Sequence, residues 1–361
     1  MAMHKALLYC LWGLLLIGSV LLVSYTVKND IVLKNDPLPV EPDGFYINGV
    51  TDDRVVKGTV ATVVVGAKNS KPELQEADLQ GGVANGVNRF LSLNLKKDTL
   101  ARAINISIKD FKLTETVLTN GGIDGRIQLT MSFGQPKAYG IQQLIEYRGG
   151  LHYTRWPGSD EVVEAQLRNA IKSALLYFNN WMRINNNDNP KLAKEIAFKF
   201  ADYTGETESD TIYYSVARRL SWTDFQSRVR PPGPFSAMII PGFGYNITQD
   251  VKNGTINVHM AMKTYVAKSD SWVGGVRDAY GLNHEQRHFD IARIITRRYQ
   301  KKIIEARLTP DTYEAFINMQ YFESYRDMNA MQKAYDKETQ HGINQQVQQA
   351  WNKKIESMLA E

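Results

Sequence analysis

The pentad His284-Glu285-Gln286-Arg287-His288 constrains this chain more than any other stretch, because its chemistry works only on a helix. Positions i and i+4 share one helical face, so His284 and His288 can present two imidazole nitrogens to one point. Glu285 then stands beside that point, placed to take a proton from water held by a metal ion. With 6 histidines among 361 residues, chance supplies on the order of 0.005 such matches. The competing reading, two surface histidines on an ordinary helix, has to survive that number and the surroundings of the pentad.

Those surroundings predict a helix from about Ala279 to Ala306, capped by Asp278, with Phe289, Ala292, Ile295, Tyr299 and Ile303 facing a core. Asn253-Gly254 between two patterned runs signals a hairpin. After it Ile256, Val258, Met260 and Met262 alternate with polar or small residues, which leaves His259 on the opposite, surface face. Thr309-Pro310-Asp311 reads as the opening of a second long helix, and Val347, Trp351, Ile355 and Met358 as the stripe of a last one. A short strand is expected at Thr211 to Val216 and a turn at Pro231-Pro232-Gly233-Pro234.

Upstream, Val60 to Val65 is β-rich, and Ile104, Ile106, Ile108 and then Ile127, Leu129, Met131, Phe133 alternate as half-buried strands around an Asn120-Gly121-Gly122 turn. A further hairpin is expected around Arg148-Gly149-Gly150, followed by a helix carrying Val163, Leu167, Ile171, Ala174, Phe178 and Trp181. No catalytic constellation falls here; His152 stands alone. The expected fold class is α+β: a mixed α+β domain over 44–186, a linker over 187–209, and a zincin-like domain over 210–361 with a small antiparallel sheet and a helical C-terminal part.

The amino terminus bears on location. Ala6 to Val27 carries no charge and at 1.5 Å per residue spans ~30 Å, the thickness of a bilayer core. It is read as an uncleaved transmembrane anchor over 6–27, with residues 1–5 cytoplasmic, a Pro- and acid-rich tether over 28–43, and everything beyond extracytoplasmic, periplasmic or at the cell surface. Membrane contact is assigned to 6–27. The single cysteine, Cys10, lies inside that run, so the rest of the chain has neither disulfide nor thiolate metal site.

From about Asp210 onward the chain resembles a bacterial family of domains of unknown function (number 922) whose members are predicted to be secreted zinc-dependent proteases. The resemblance rests on Leu220-Ser221-Trp222-Thr223-Asp224-Phe225, Ser271-Trp272-Val273, the run from His284 to Ala292, Tyr335-Asp336-Lys337-Glu338-Thr339-Gln340-His341-Gly342, and Gln349 with Trp351 and Ile355. It covers about 150 residues. The chain departs from that pattern at Arg293, where relatives often carry an acid, and at Arg287, where they carry a smaller residue. Neither change removes a ligand, but both bear on substrate preference.

A single Zn2+ is therefore expected, with His284 and His288 as two of its ligands. A further histidine six residues on would complete a metzincin site, but Ile294 stands there. His341 is the leading third ligand, as the only histidine downstream and by the tail pattern of the resemblance; Glu323, in Glu323-Ser324-Tyr325-Arg326-Asp327, and Glu338 are alternatives. Glu285 is expected as general base, Tyr335 as a donor to an oxyanion, and Asp290 or Asp336 as partners of a ligand histidine's outer nitrogen. The basic run Arg293, Arg297, Arg298, Lys301 and Lys302 reads as a solvated face, with an anionic membrane or wall polymer as the alternative contact. No phosphate loop, nucleic-acid module or serine or cysteine triad is present. Three readings of function follow: a membrane-anchored zinc metalloprotease acting on peptide or protein; a zinc hydrolase of cell-wall peptides or amides; and an anchored binding or assembly protein with a structural metal site.

Overall fold

Strands of 12–16 residues set the frame of the computed structural model, which describes residues 29–66, 71–204, 209–230 and 236–361. The chain divides into two units, one ending at Met182 and the other running Arg183–Glu361.

The first unit contains β1 (Asn29–Ile31), β2 (Phe45–Asp52), β3 (Ala61–Val65), β4 (Glu73–Leu79), α1 (Val83–Asn94), β5 (Arg102–Val117), β6 (Ile123–Lys137), β7 (Gly140–Arg155) and α2 (Glu161–Asn185). Its seven strands form one mixed sheet in the order β1-β4-β3-β5-β6-β7, with β2 parallel to β5. Ile104, Ile106, Ile108, Met131 and Phe133 point into the core, where Phe178 of α2 stacks on Phe133 at 4.3 Å. The strands of the sheet also hold a buried charged cluster. Arg155 Nε and Nη2 donate to the two oxygens of Glu115 at 2.7 Å each, Tyr153 donates its hydroxyl to Oε1 at 2.6 Å, and the Val64 N–H reaches Oε2 at 2.8 Å.

Two expectations change in this unit. No hairpin forms at Arg148-Gly149-Gly150, which lies inside the unbroken strand β7. The glycines allow close approach instead: a Cβ on Gly150 would sit 2.6 Å from the Ile127 carbonyl oxygen, and the chain reverses at Gly140, whose φ is 127°. The segment read as a tether is also packed. Asn29–Ile31 pairs in parallel with β4, Leu33 and Val40 are buried, and Asp36 is ion-paired with Arg168 and Lys172.

The second unit contains β8 (Glu195–Asp202), β9 (Thr211–Tyr213), β10 (Ala237–Met238), β11 (Pro241–Lys252), β12 (Thr255–Ala267), β13 (Trp272–Val273), α3 (Ala279–Glu305), α4 (Tyr313–Thr339) and α5 (Gln345–Ala360). Asn253 and Gly254, both at positive φ, turn β11 into β12 as the sequence requires. The small antiparallel sheet expected here is corrected: β8 runs parallel to β12, so the four-stranded sheet is mixed. β8 arises from residues assigned to the linker, where Ile196, Phe198 and Phe200 alternate and pack on the core. The transmembrane part of the expected fold has no counterpart among the described residues. No helix among the described residues is long and apolar enough to cross a membrane. The run 6–27 lies outside the described residues, as does the proline turn at 231–234.

α3 starts where Asp278 accepts the Gly281 N–H at 2.7 Å, and it is enclosed on two sides. Ala292, Ile295, Tyr299 and Ile303 pack with Phe243, Val258 and Met260 of the sheet and Ile317 and Met328 of α4. Ile291 and Ile294 pack with Tyr335, Trp351 and Ile355 of α4 and α5. At about 1.5–3 kcal/mol per fully buried aliphatic side chain, this double enclosure fixes both the position and the rotation of the motif helix. α4 begins at Tyr313, three residues beyond Pro310, because Thr309 and Thr312 close a turn first.

Candidate metal centre

The face of α3 that carries His284 and His288 meets α4 one turn before its C-terminus and the buried stripe of α5. The imidazole Nε2 atoms lie 3.3 Å apart, and Asp336 Oδ1 lies 2.9 Å from His288 Nε2 and 3.3 Å from His284 Nε2. These are the described His, Cys, Asp or Glu side chains that cluster tightly enough to share one ion. Ligand atoms ~2.0–2.1 Å from a tetrahedral cation stand about 3.3–3.4 Å from one another, so the three edges fit one face of such a site.

Both histidines are held in the tautomer that this needs. His284 Nδ1 donates to Gln348 Oε1 at 2.9 Å and His288 Nδ1 donates to Gln332 Oε1 at 2.5 Å. Each glutamine is itself fixed: Gln332 Nε2 donates to the His288 carbonyl at 2.9 Å, and Gln348 Nε2 donates to the Tyr335 hydroxyl at 2.5 Å. In the neutral form of each ring the proton therefore sits on the outer nitrogen and the Nε2 lone pair faces the carboxylate. Burial alone would raise the Asp336 carboxyl, but hydrogen bonds and charge from the two imidazoles, once protonated at Nε2 as well, hold it well below the usual carboxylate range. His288 is shifted up: burial opposes its charge, and the Asp336 and Glu285 carboxylates more than offset that.

Glu285 is 4% exposed and is not one of the three converging groups. Its Oε2 accepts the Ile239 N–H at 3.1 Å, just after β10, and burial pushes its carboxyl up. Ile239 is brought there because β10 pairs with β13, so the Trp272-Val273 element of the sequence pattern reaches the site through this two-stranded ladder.

The remaining expected residues are placed as follows. Asp336, read as a partner of an outer nitrogen, takes the place expected of His341 among the converging groups. His341 is largely exposed, on a left-handed turn with Gln340 and Gly342, its Nδ1 3.5 Å from Asp336 Oδ1. Glu338 points to α5, where its Oε2 accepts the Trp351 Nε1–H at 2.7 Å. Glu323 accepts from Gln320 at 2.8 Å; thirteen positions before Asp336 on the same helix, it stands about 20 Å along the axis from the site. Tyr335 is fully buried, stacked on the His284 ring at 4.8 Å, with its hydroxyl bonded to Gln348 and directed at the His284 carbonyl, so it supports the imidazole from behind and faces no substrate. Asp290 touches neither histidine. It accepts from Tyr214 at 3.0 Å, Gln286 at 2.9 Å and Arg287 at 3.0 Å, and Gln286 in turn accepts the Leu220 N–H at 2.9 Å. The two variable positions of the pentad thus bind α3 to the Leu220–Phe225 segment and to α5.

Sequence reasoning missed Gln332 and Gln348. The signal for Gln348 was present, because it lies three residues before Trp351 and seven before Ile355, a polar side chain on the apolar stripe of α5.

Residues 272–342 match a family model described as a bacterial protein of unknown function (DUF922), a stretch that contains β13, α3, α4 and the left-handed turn. The match supports the family resemblance seen in the sequence. No curated protein matches the chain. Among solved structures, protein XCC0632 from Xanthomonas campestris, of the DUF330 family model, aligns with 11% identity and a TM-score of 0.27 over 44% of this chain and 95% of its own, too low to bear on fold or function.

Proposed function

We propose that the second unit is a zinc-dependent hydrolase of peptide bonds, with His284, His288 and Asp336 holding one ion and Glu285 as general base. The observation that carries this reading is the triangle of two Nε2 lone pairs and one carboxylate oxygen, with edges of 2.9–3.3 Å and a buried acid beside it. A divalent ion bound there would supply Lewis-acid chemistry, polarising a carbonyl and making water more acidic.

The side chains do the rest. Gln332 and Gln348 hold a proton on each outer nitrogen and aim the rings inward, while Asp336 brings the negative charge that offsets a divalent cation. Glu285 Oε2 is held by the Ile239 amide, which leaves Oε1 to accept a proton from the attacking water and return it to the leaving amine. Burial raises the affinity of this carboxylate for that proton, which brings it closer to the range a base needs near neutral pH.

Remetallated protein is expected to contain one zinc per chain and to cleave a quenched-fluorescence peptide library. Glu285→Gln should lower turnover by ~10²–10⁴-fold with zinc content unchanged. Failure to take up stoichiometric zinc, or full activity in Glu285→Gln, overturns the reading.

A further inference from the structure

On a helix advancing ~100° per residue, Gln286, Asp290, Arg293 and Arg297 lie on the side of α3 opposite His284 and His288. That side closes a cavity of about 780 Å³ whose walls also come from β8, the 212–219 stretch and α5. The volume falls in the range of small-molecule pockets. Six cations line it: Arg218, Arg219, Lys268, Arg287, Arg293 and Arg297.

The three acids in the wall are already spent. Asp202 holds Arg293 through two contacts of 2.6 Å, and Asp290 and Glu356 both hold Arg287. Arg218 is paired with Asp224, which lies outside the wall. Arg219, Lys268 and Arg297 have no carboxylate among the described residues within ion-pair distance. Arg297 and Lys268 donate to the backbone carbonyls of Leu359, at 2.5 Å, and Ser209, at 2.8 Å. Lys268 also feels the field of Asp210. Tyr203, Tyr213 and Tyr214 give the same cavity an aromatic side. Two of the five cations in the basic run, Arg293 and Arg297, thus belong to this wall, whereas Arg298 contacts Met358, Lys301 pairs with Glu305 and Lys302 with Asp327.

We propose that this cavity is a binding site for a small multivalent oxyanion, a phosphate ester or a polycarboxylate, held chiefly by Arg219, Lys268 and Arg297. Cations that have no carboxylate partner among the described residues and gather on one concave wall gain most from a single ligand carrying two or more charges, and guanidinium groups match oxyanion geometry. The inference uses the face of α3 away from the metal centre and does not depend on hydrolysis.

Calorimetric titration with inorganic pyrophosphate and with tricarballylate, at fixed ionic strength near physiological, tests it. Saturable binding of at least one probe is expected, and the tighter of the two names the source of the charge. Arg219→Ala/Arg297→Ala should weaken that binding by about 10-fold or more, and Lys268→Gln should weaken it independently. Arg298→Ala/Lys301→Ala removes equal charge from the same helix outside the cavity and should leave it unchanged; melting curves confirm that each variant is folded. Absence of binding by either probe, equal loss in the two double variants, or retention in Arg219→Ala/Arg297→Ala, which would place the anion elsewhere, the metal centre included, overturns the proposal.

Discussion

Each unit buries a carboxylate among partners, and the two clusters differ in what they leave over. In the first unit Glu115 accepts four hydrogen bonds, two on each oxygen, from Tyr153, Arg155 and the Val64 amide. Every partner is a proton donor, so the cluster is closed and needs no further group. In the second unit Asp336 Oδ1 faces two imidazole nitrogens whose sister nitrogens already carry the protons. Three groups that can each offer a lone pair then share one small space, an arrangement that calls for a proton or a metal cation between them. Burial of charge is common to both. Surplus donors mean architecture, and converging acceptors mean a ligand site.

Breaking either cluster tests this contrast. The largest effect is expected from Asp336→Ala, which should abolish stoichiometric zinc binding, whereas His341→Ala should leave it nearly intact; mass spectrometry of the intact metal complex reads both. If His341→Ala loses the ion and Asp336→Ala keeps it, the ligand assignment is reversed. Glu115→Ala removes the buried partner of the Arg155 guanidinium, leaving it Asp160 and the Val64 carbonyl, and should cost about 3–5 kcal/mol in chemical denaturation, with zinc uptake unaffected. A change within experimental error would show the closed cluster to be dispensable. Gln348→Ala removes only a hydrogen bond behind His284, so zinc affinity should fall by ~10–100-fold in competition with a chelator. An unaltered affinity would mean that the amide merely fills space.

The smallest effect concerns acid stability. Burial would raise the Asp224 carboxyl, but Arg218 and the Ser221 amide lower it below its ordinary value. A depressed folded-state pKa contributes stability above about pH 4 that drains away as pH falls through the folded value. Asp224→Asn should therefore be less stable than the parent chain at pH 6, by on the order of 1 kcal/mol since Arg218 is half exposed, and the gap should close below pH 4. A gap independent of pH would locate the loss in packing.

Much of the second unit was legible because its signals are local. The Asp278 cap, the Asn253-Gly254 turn and the stripes of α3 and α5 lie where periodicity puts them. The pair His284 and His288 needed only one helical turn. What lay beyond was set by contacts distant in sequence. Asp336 comes from 48 positions after His288, and nothing nearby distinguishes it from Glu338, two residues on, which serves Trp351 instead. His341 drew attention as the only histidine downstream and by the tail pattern of the resemblance, neither of which reports on distance from the histidine pair. In β8 the alternation of Ile196, Phe198 and Phe200 was present but overshadowed by the polar runs on either side. Gly149-Gly150 looked like a turn because glycine has two uses, and only the neighbouring Ile127 carbonyl tells them apart.

Tyr335 and Asp336 are consecutive on α4, one beneath the His284 ring and the other at its edge. Their duties are therefore separated by a single step of ~100° about the helix axis. The centre is tuned by the rotational phase of a long rod, anchored far away by Ile317 and Met328 in the sheet-side core. One residue inserted between Met328 and Gln332 would swing aromatic and acid out of step together, although no atom of either had been altered.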